Sequence, residues 1–242
     1  MTPKLTAHRT LRSDETDMYG RWRLPAIFTA MQELAVAHAE ELGVGRMALL
    51  EKDLIWILMR MSVRMARYPV YGDTVTISTW PREASGTSYE RLFLFEDEDG
   101  RQLGGASSLW IVLSTETRRI VRPSLAGIVF PDTSAYVSPV PPPGRITADA
   151  PAQRVTTRPV RYSDVDINMH VNNARYVEWV CDALGDKFFK DQPPKGFDIS
   201  YVGEARVGED IRLELSRDGD AYTVVARHAA TGMTAIEALI TA

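Results

Sequence analysis

Apolar positions recur at helical spacing in two stretches of this 242-residue chain. The first runs from about Pro25 to Leu42, with Ile27, Met31, Leu34, Ala35, His38 and Leu42 on one face. That recurrence marks a helix that buries one side. Pro25 suits a first helical turn and Gly43 a stop. The second runs from about Ala174 to Phe188, with Val177, Val180, Cys181, Leu184 and Phe188 as its stripe and Asn172 or Asn173 as N-cap. After each helix the pattern shortens to alternation rich in β-branched and aromatic residues, which predicts strands. The first set is Trp56 to Ala66, Thr74 to Trp80, Ser88 to Glu96 and Ala106 to Leu113. The second is Phe197 to Val202, Ile211 to Ser216, Ala221 to His228 and Thr234 to Thr241. Turn signals at Glu98-Asp-Gly100, Asp218-Gly219 and Thr231-Gly232 separate them.

The two sets align in order, an internal repeat. Asp17-Met-Tyr-Gly-Arg-Trp-Arg stands where Asp166-Ile-Asn-Met-His-Val-Asn stands, and Val70-Tyr-Gly-Asp matches Val207-Gly-Glu-Asp. Each half therefore reads as one long helix followed by an antiparallel sheet that wraps it, an α+β pseudo-dimer. Between them the proline-rich stretch from Pro131 to Pro159 has little periodicity. The expected division is a first domain over 1–135, a linker over 136–155 and a second domain over 156–242.

Composition narrows the function classes. A net charge of −4 without basic runs gives no footprint for nucleic acid. Cys181 is the one cysteine, which excludes an internal disulfide and fits a reducing compartment. The N-terminus lacks the apolar core of a signal peptide, and no apolar run approaches the roughly 20 residues that span a bilayer. The expected setting is the cytoplasm, with no membrane partner.

The candidate chemistry lies just before the second helix. Asp166, Asn168 and His170 sit at alternate positions, so that extended backbone would turn a carboxylate, an amide and an imidazole to one side. His170 suits general-base work, and Asp166 could orient it or a neighbouring amide. Asn168 could position water or donate to an oxyanion. The helix start offers backbone N–H groups near Val171 and Asn172 to developing negative charge. The first half carries Tyr19, Arg21 and Arg23 at the matching places and cannot run the same chemistry. Gly43-Val-Gly-Arg follows a helix where a dinucleotide loop needs a strand, and no Gly-x-Ser-x-Gly occurs. Asp166, Asn168 and His170 lack the second His or Cys that a metal site would favour. No metal and no cofactor are expected.

The pattern Asp-x-Asn-x-His-x-Asn-Asn from Asp166, followed by Tyr176 and Trp179, resembles the acyl-acyl-carrier-protein thioesterases of plants and bacteria. Arg67-Tyr-Pro, Gly72-Asp-Thr-Val-Thr-Ile-Ser-Thr-Trp-Pro81, Ser107-Ser-Leu-Trp-Ile-Val and Thr117-Arg-Arg-Ile-Val-Arg-Pro123 extend the match in order over nearly the whole chain. The resemblance implies a tandem (double) hot dog fold. It implies a hydrolase that releases fatty acid from acyl carrier protein and ends chain elongation. It also singles out Glu204, in Tyr201-Val-Gly-Glu-Ala-Arg206, as a catalytic carboxylate that the residues alone would leave as a surface group. Several plant members carry a cysteine after that glutamate. Here Ala205 stands there, which turns the chemistry from a thiol nucleophile to an activated water, with Glu204 or His170 as base. The resemblance further gives the first half the acyl slot, with Ile27, Met31, Leu34, Ile55, Ile57 and Met59 as its lining.

Other readings stay open at this point. A hot-dog thioesterase acting on coenzyme A esters would share the site. A non-catalytic acyl sensor is the reading from another class, and a dehydratase on the same fold is a third. Arg60, Arg64 and Arg67, or Arg118, Arg119 and Arg122, are candidate docking groups for an acidic carrier, and a homodimer is compatible with the pattern.

Overall fold

A computed structural model describes all residues except Met1, Asp149 and Gln192. Strand β1 (Leu5–Thr10) leads through a single 3-10 turn to helix α1 (Leu24–Glu41) and short helix α2 (Arg46–Leu50). Strands β2 (Leu54–Met65), β3 (Thr74–Pro81), β4 (Tyr89–Glu96) and β5 (Gln102–Ser114) follow, then one turn of helix, α3 (Pro123–Ala126). The second half repeats the plan with β6 (Arg154–Pro159), α4 (Asn173–Leu184), α5 (Asp186–Asp191), β7 (Gly196–Tyr201), β8 (Asp210–Asp218), β9 (Ala221–His228) and β10 (Thr234–Thr241).

All ten strands join one antiparallel sheet in the order β1-β3-β4-β5-β2-β7-β10-β9-β8-β6. Two five-stranded halves meet where β2 pairs β7, Arg60 opposite Ser200 through Arg64 opposite Gly196. The Arg64 guanidinium spans this joint onto both oxygens of Asp198, at 3.0 and 2.8 Å. Helices α1 and α4 pack against each other and against their own strands. One core runs through both halves, with Ile27, Met31, Phe93 and Phe95 in the same cluster as Val177, Trp179, Phe197 and Ile236. This is the tandem hot dog that the repeat and the resemblance imply.

The differences from the sequence reading have physical causes. The second helix stops at Leu184, four residues short of Phe188, because Gly185 takes φ 83° before α5 begins. Strand β6 ends the proline-rich stretch from Pro131 to Pro159 and overlaps the expected linker at Arg154 and Val155. As an edge strand exposed along most of its length, it shows no apolar run. Edge strand β1, with every second residue exposed, escapes the pattern for the same reason. Residues 127–153 form no helix or strand among the described residues, yet they are not a free tether. Thr133 is buried and its hydroxyl donates to the Pro81 carbonyl at 2.6 Å, while Arg82 donates to the carbonyls of Thr133 and Tyr136.

Candidate active site

The segment from Asp166 to His170 is a tight turn, not extended backbone. Asp166 N–H donates to the His170 carbonyl (3.2 Å), and Met169 N–H donates to the Asp166 carbonyl (3.0 Å). Asp166 Oδ1 accepts the Asn168 backbone N–H at 2.8 Å, an Asx turn. Its Oδ2 accepts the Asn172 side-chain amide at 3.0 Å. Asn172 Oδ1 accepts in turn from Ala174 N–H at 2.9 Å, which caps α4. Asp166 thus orients the neighbouring amide, and one chain of bonds ties the turn to the helix start.

His170 Nδ1 lies 3.3 Å from the Val171 carbonyl. A carbonyl only accepts, so Nδ1 is the donor here, and the neutral ring has its lone pair on Nε2. Among the described residues, the Asn168 side chain makes no hydrogen bond. Val171 N–H donates to the Ala205 carbonyl at 2.8 Å, so the strands of chain carrying His170 and Glu204 run side by side. Glu204 is held from both flanks, by Arg206 at 3.4 Å and by Arg118 of the first half at 3.8 Å. Behind it, Ala205 N–H donates to the Tyr176 hydroxyl at 3.1 Å.

The backbone N–H groups of Val171 and Asn172, expected to be free for an oxyanion, are both taken, by the carbonyls of Ala205 and Asp164. The first turn of α4 instead leaves Asn173 N–H without a partner among the described residues. Asn173 and Ala174 also line a narrow apolar cleft of about 20 Å³. Its other walls are Phe28, Met31, Gln32 and Ala35 of α1, Leu58 and Met61 of β2, Phe93, Trp110 and Tyr201.

Of the six residues expected to line an acyl slot, Met31 lines this cleft and the other five do not. Ile27 and Leu34 are core on α1, off the lining strip at 28, 31, 32 and 35. Ile55 and Ile57 alternate with Leu58 and so fall on the opposite face of β2, and Met59 is the extra residue of a bulge between Leu58 and Arg60. One extra residue flips the inward phase, so Leu58 faces in before it and Met61 after it. Asn173 reads in sequence as an alternative cap and gave no other signal. Cys181 packs against the core, and burial pushes its thiol well above the ordinary range, which leaves no thiolate for catalysis. No group of three or more His, Cys, Asp or Glu side chains is placed to hold a metal among the described residues.

The first half contains the same backbone turn without the chemistry. Asp17 N–H donates to the Arg21 carbonyl, Gly20 N–H to Asp17, Trp22 N–H to Pro69 and Arg23 N–H to Glu15. These are the partners of Asp166–His170, Met169–Asp166, Val171–Ala205 and Asn172–Asp164. Tyr19, Arg21 and Arg23 therefore stand at Asn168, His170 and Asn172, and Tyr68 stands at Glu204. In the following stretch, the bonds Gly72 N–H to Leu11 and Gly208 N–H to Val160 align Gly72 with Gly208, one residue off the match of Val70 with Val207.

Comparison with known proteins agrees with this plan. Residues 4–124 match the family model described as the acyl-ACP thioesterase N-terminal domain, and residues 148–240 match the acyl-ACP thioesterase C-terminal domain. A dodecanoyl-[acyl-carrier-protein] hydrolase of Cinnamomum camphora is 29% identical over 80% of this chain and 54% of its own length. One from Umbellularia californica is 30% identical over 74% of this chain and 50% of its own length. The chain spans about half the length of the curated relatives it matches. The solved 12:0-ACP thioesterase of Umbellularia californica overlays on 100% of this chain and 97% of its own, with TM-score 0.86 and 25% identity. An acyl-ACP thioesterase structure from Bacteroides thetaiotaomicron shares the fold at TM-score 0.87 and 22% identity, over 99% and 97% of the two chains. With both domain matches in order along one continuous sheet, the chain belongs to the acyl-ACP thioesterase family.

Proposed function

We propose that this protein hydrolyses the thioester of a fatty acyl chain carried on acyl carrier protein, releasing free fatty acid and ending elongation. The observation that carries the reading is the meeting of two features at one helix start. The apolar cleft of the first half reaches Asn173, and the Asp166/Asn168/His170 turn is bonded to the same helix through Asn172. In this reading the division holds as an acyl-slot half over 1–135 and a catalytic half over 156–242.

A water between His170 and Glu204 attacks the thioester carbonyl. His170 Nε2 accepts its proton, since its lone pair is free while both Glu204 oxygens face arginines. Asn173 N–H and the unbonded Asn168 amide receive the oxyanion. As the tetrahedral intermediate collapses, the C–S bond breaks and the leaving thiolate takes the proton from His170. The reaction draws on no cofactor. Arg118, at the rim beside Glu204, places a basic group where an acidic carrier would dock. Arg64 and Arg67 are engaged instead with Asp198 and Asp97. The single cysteine supports a cytoplasmic setting, and no helix of the described residues is long and apolar enough to cross a membrane. A homodimer fits this reading.

The test is release of fatty acid from a panel of acyl chains on acyl carrier protein and on coenzyme A. Faster turnover on the carrier protein supports the reading, and a clear preference for coenzyme A overturns it. His170→Ala and Glu204→Gln are each expected to lower kcat by about 10²–10⁴-fold. Unchanged turnover in both would move the site elsewhere.

A further inference from the structure

The three side chains that replace Asn168, His170 and Glu204 in the first half share one target. Tyr19 hydroxyl donates to the Asp186 carbonyl at 3.4 Å, and Arg21 donates through its guanidinium to the Phe189 carbonyl. Tyr68 hydroxyl donates to the Pro194 carbonyl at 2.7 Å. All three acceptors belong to α5 and the residues just after it, in the other half of the chain. Arg21 is fixed for this task by Asp17, whose carboxylate takes its side chain at 3.2 Å and its backbone N–H at 2.9 Å. The Phe189 carbonyl lies in the last turn of α5, where carbonyls lack helical partners and attract cations.

We infer that α5 is the internal ligand of the lapsed site: it fills the place that corresponds, at the intact site, to the thioester. Donors suited to hold the helix replaced the groups suited to catalysis, and the second mouth is closed by the chain itself. Among the described residues, the intact mouth has no helix bonded to it in this way, and the first half reaches it through Arg118 beside Glu204. Helix α2 follows α1 as α5 follows α4, yet among the described residues no side-chain hydrogen bond joins Asn168, His170 or Glu204 to α2. Phe188 holds the plug from behind, with its ring 5.0 Å from both Phe189 and Tyr222. The lock also ties α4, whose far end carries the candidate site, to the first half.

Hydrogen exchange of the full chain, read by mass spectrometry, tests the lock in the variant Tyr19→Phe, Arg21→Met, Tyr68→Phe. The amides of α5 are expected to exchange about ten-fold faster, with α4 and the β2–β7 joint unchanged. Unchanged exchange in α5 overturns the inference, as does an equal acceleration throughout the chain. Tyr68→Phe alone removes one hydroxyl and keeps the ring. It is expected to give a smaller rise confined to the same region, and no rise there also counts against the lock. The readout uses no substrate, so its failure leaves the acyl-carrier-protein reading standing, and the converse holds too.

Discussion

Met169 occupies the left-handed region at φ 64°, at the place where the lapsed turn has Gly20 at φ 76°. A side chain costs about 1–2 kcal/mol there, of which glycine's greater unfolded-state freedom would return part. Met169→Gly is therefore expected to stabilise the protein by about 0.5–1 kcal/mol, read as a rise of about 1–4 °C in Tm. His38 offers a second residue-scale prediction. It is fully buried, its Nε2 lies 2.8 Å from the Thr2 carbonyl and its Nδ1 3.0 Å from the Arg91 guanidinium. Nδ1 accepts from Arg91, so the ring is neutral with its proton on Nε2. Burial first, and Arg91 second, hold its pKa below the ordinary value of 6.5. Arg91, itself pushed down by burial to about 10, stays charged at neutral pH. The unfolded chain then binds a proton that the folded chain refuses, so stability is full above about pH 6.5 and falls as pH drops below it. Thermal melts between pH 7.5 and 5 should show this fall, and His38→Gln should flatten it.

At the scale of elements, the start of α4 joins structure to chemistry. Asn172 caps the helix and holds Asp166, so Asn172→Ala is expected to cost about 1–2 kcal/mol in urea unfolding, together with activity. Asn172→Ser keeps a capping oxygen and loses the amide that Asp166 holds. It should recover most of the stability and little of the turnover, and recovery of both would reduce Asn172 to a cap. Both long helices were legible in the sequence because each buries a stripe. The polar cluster was legible as residue types, through its degraded copy in the first half, but its backbone was not: alternate spacing pointed to an extended chain where the Asp166 carboxylate folds an Asx turn. The lining of the cleft at Asn173 was not legible. The resemblance names a half and not a face of β2, and the extra residue at Met59 decides that Leu58 before it and Met61 after it both line the cleft. Glu204 carried no local signal either, since only folding lays its loop beside His170 through the Val171–Ala205 bond.

Over the whole molecule, the joint between β2 and β7 makes ten strands continuous, and the apolar cluster crosses from one half to the other without a boundary. The main interior belongs to both repeats, and the first adds only a smaller cluster round Leu49, Tyr89 and Val112. Heating should therefore give one calorimetric transition whose van't Hoff and calorimetric enthalpies agree, and two resolved transitions would show halves that fold independently. The stretch that crosses between the repeats has a further consequence. Arg145 is exposed there, outside any helix or strand. A tryptic nick at that bond would leave two polypeptides that still elute as a single particle and part only in denaturant. The covalent link would then matter for bringing the repeats together during folding, while the finished particle would hold without it.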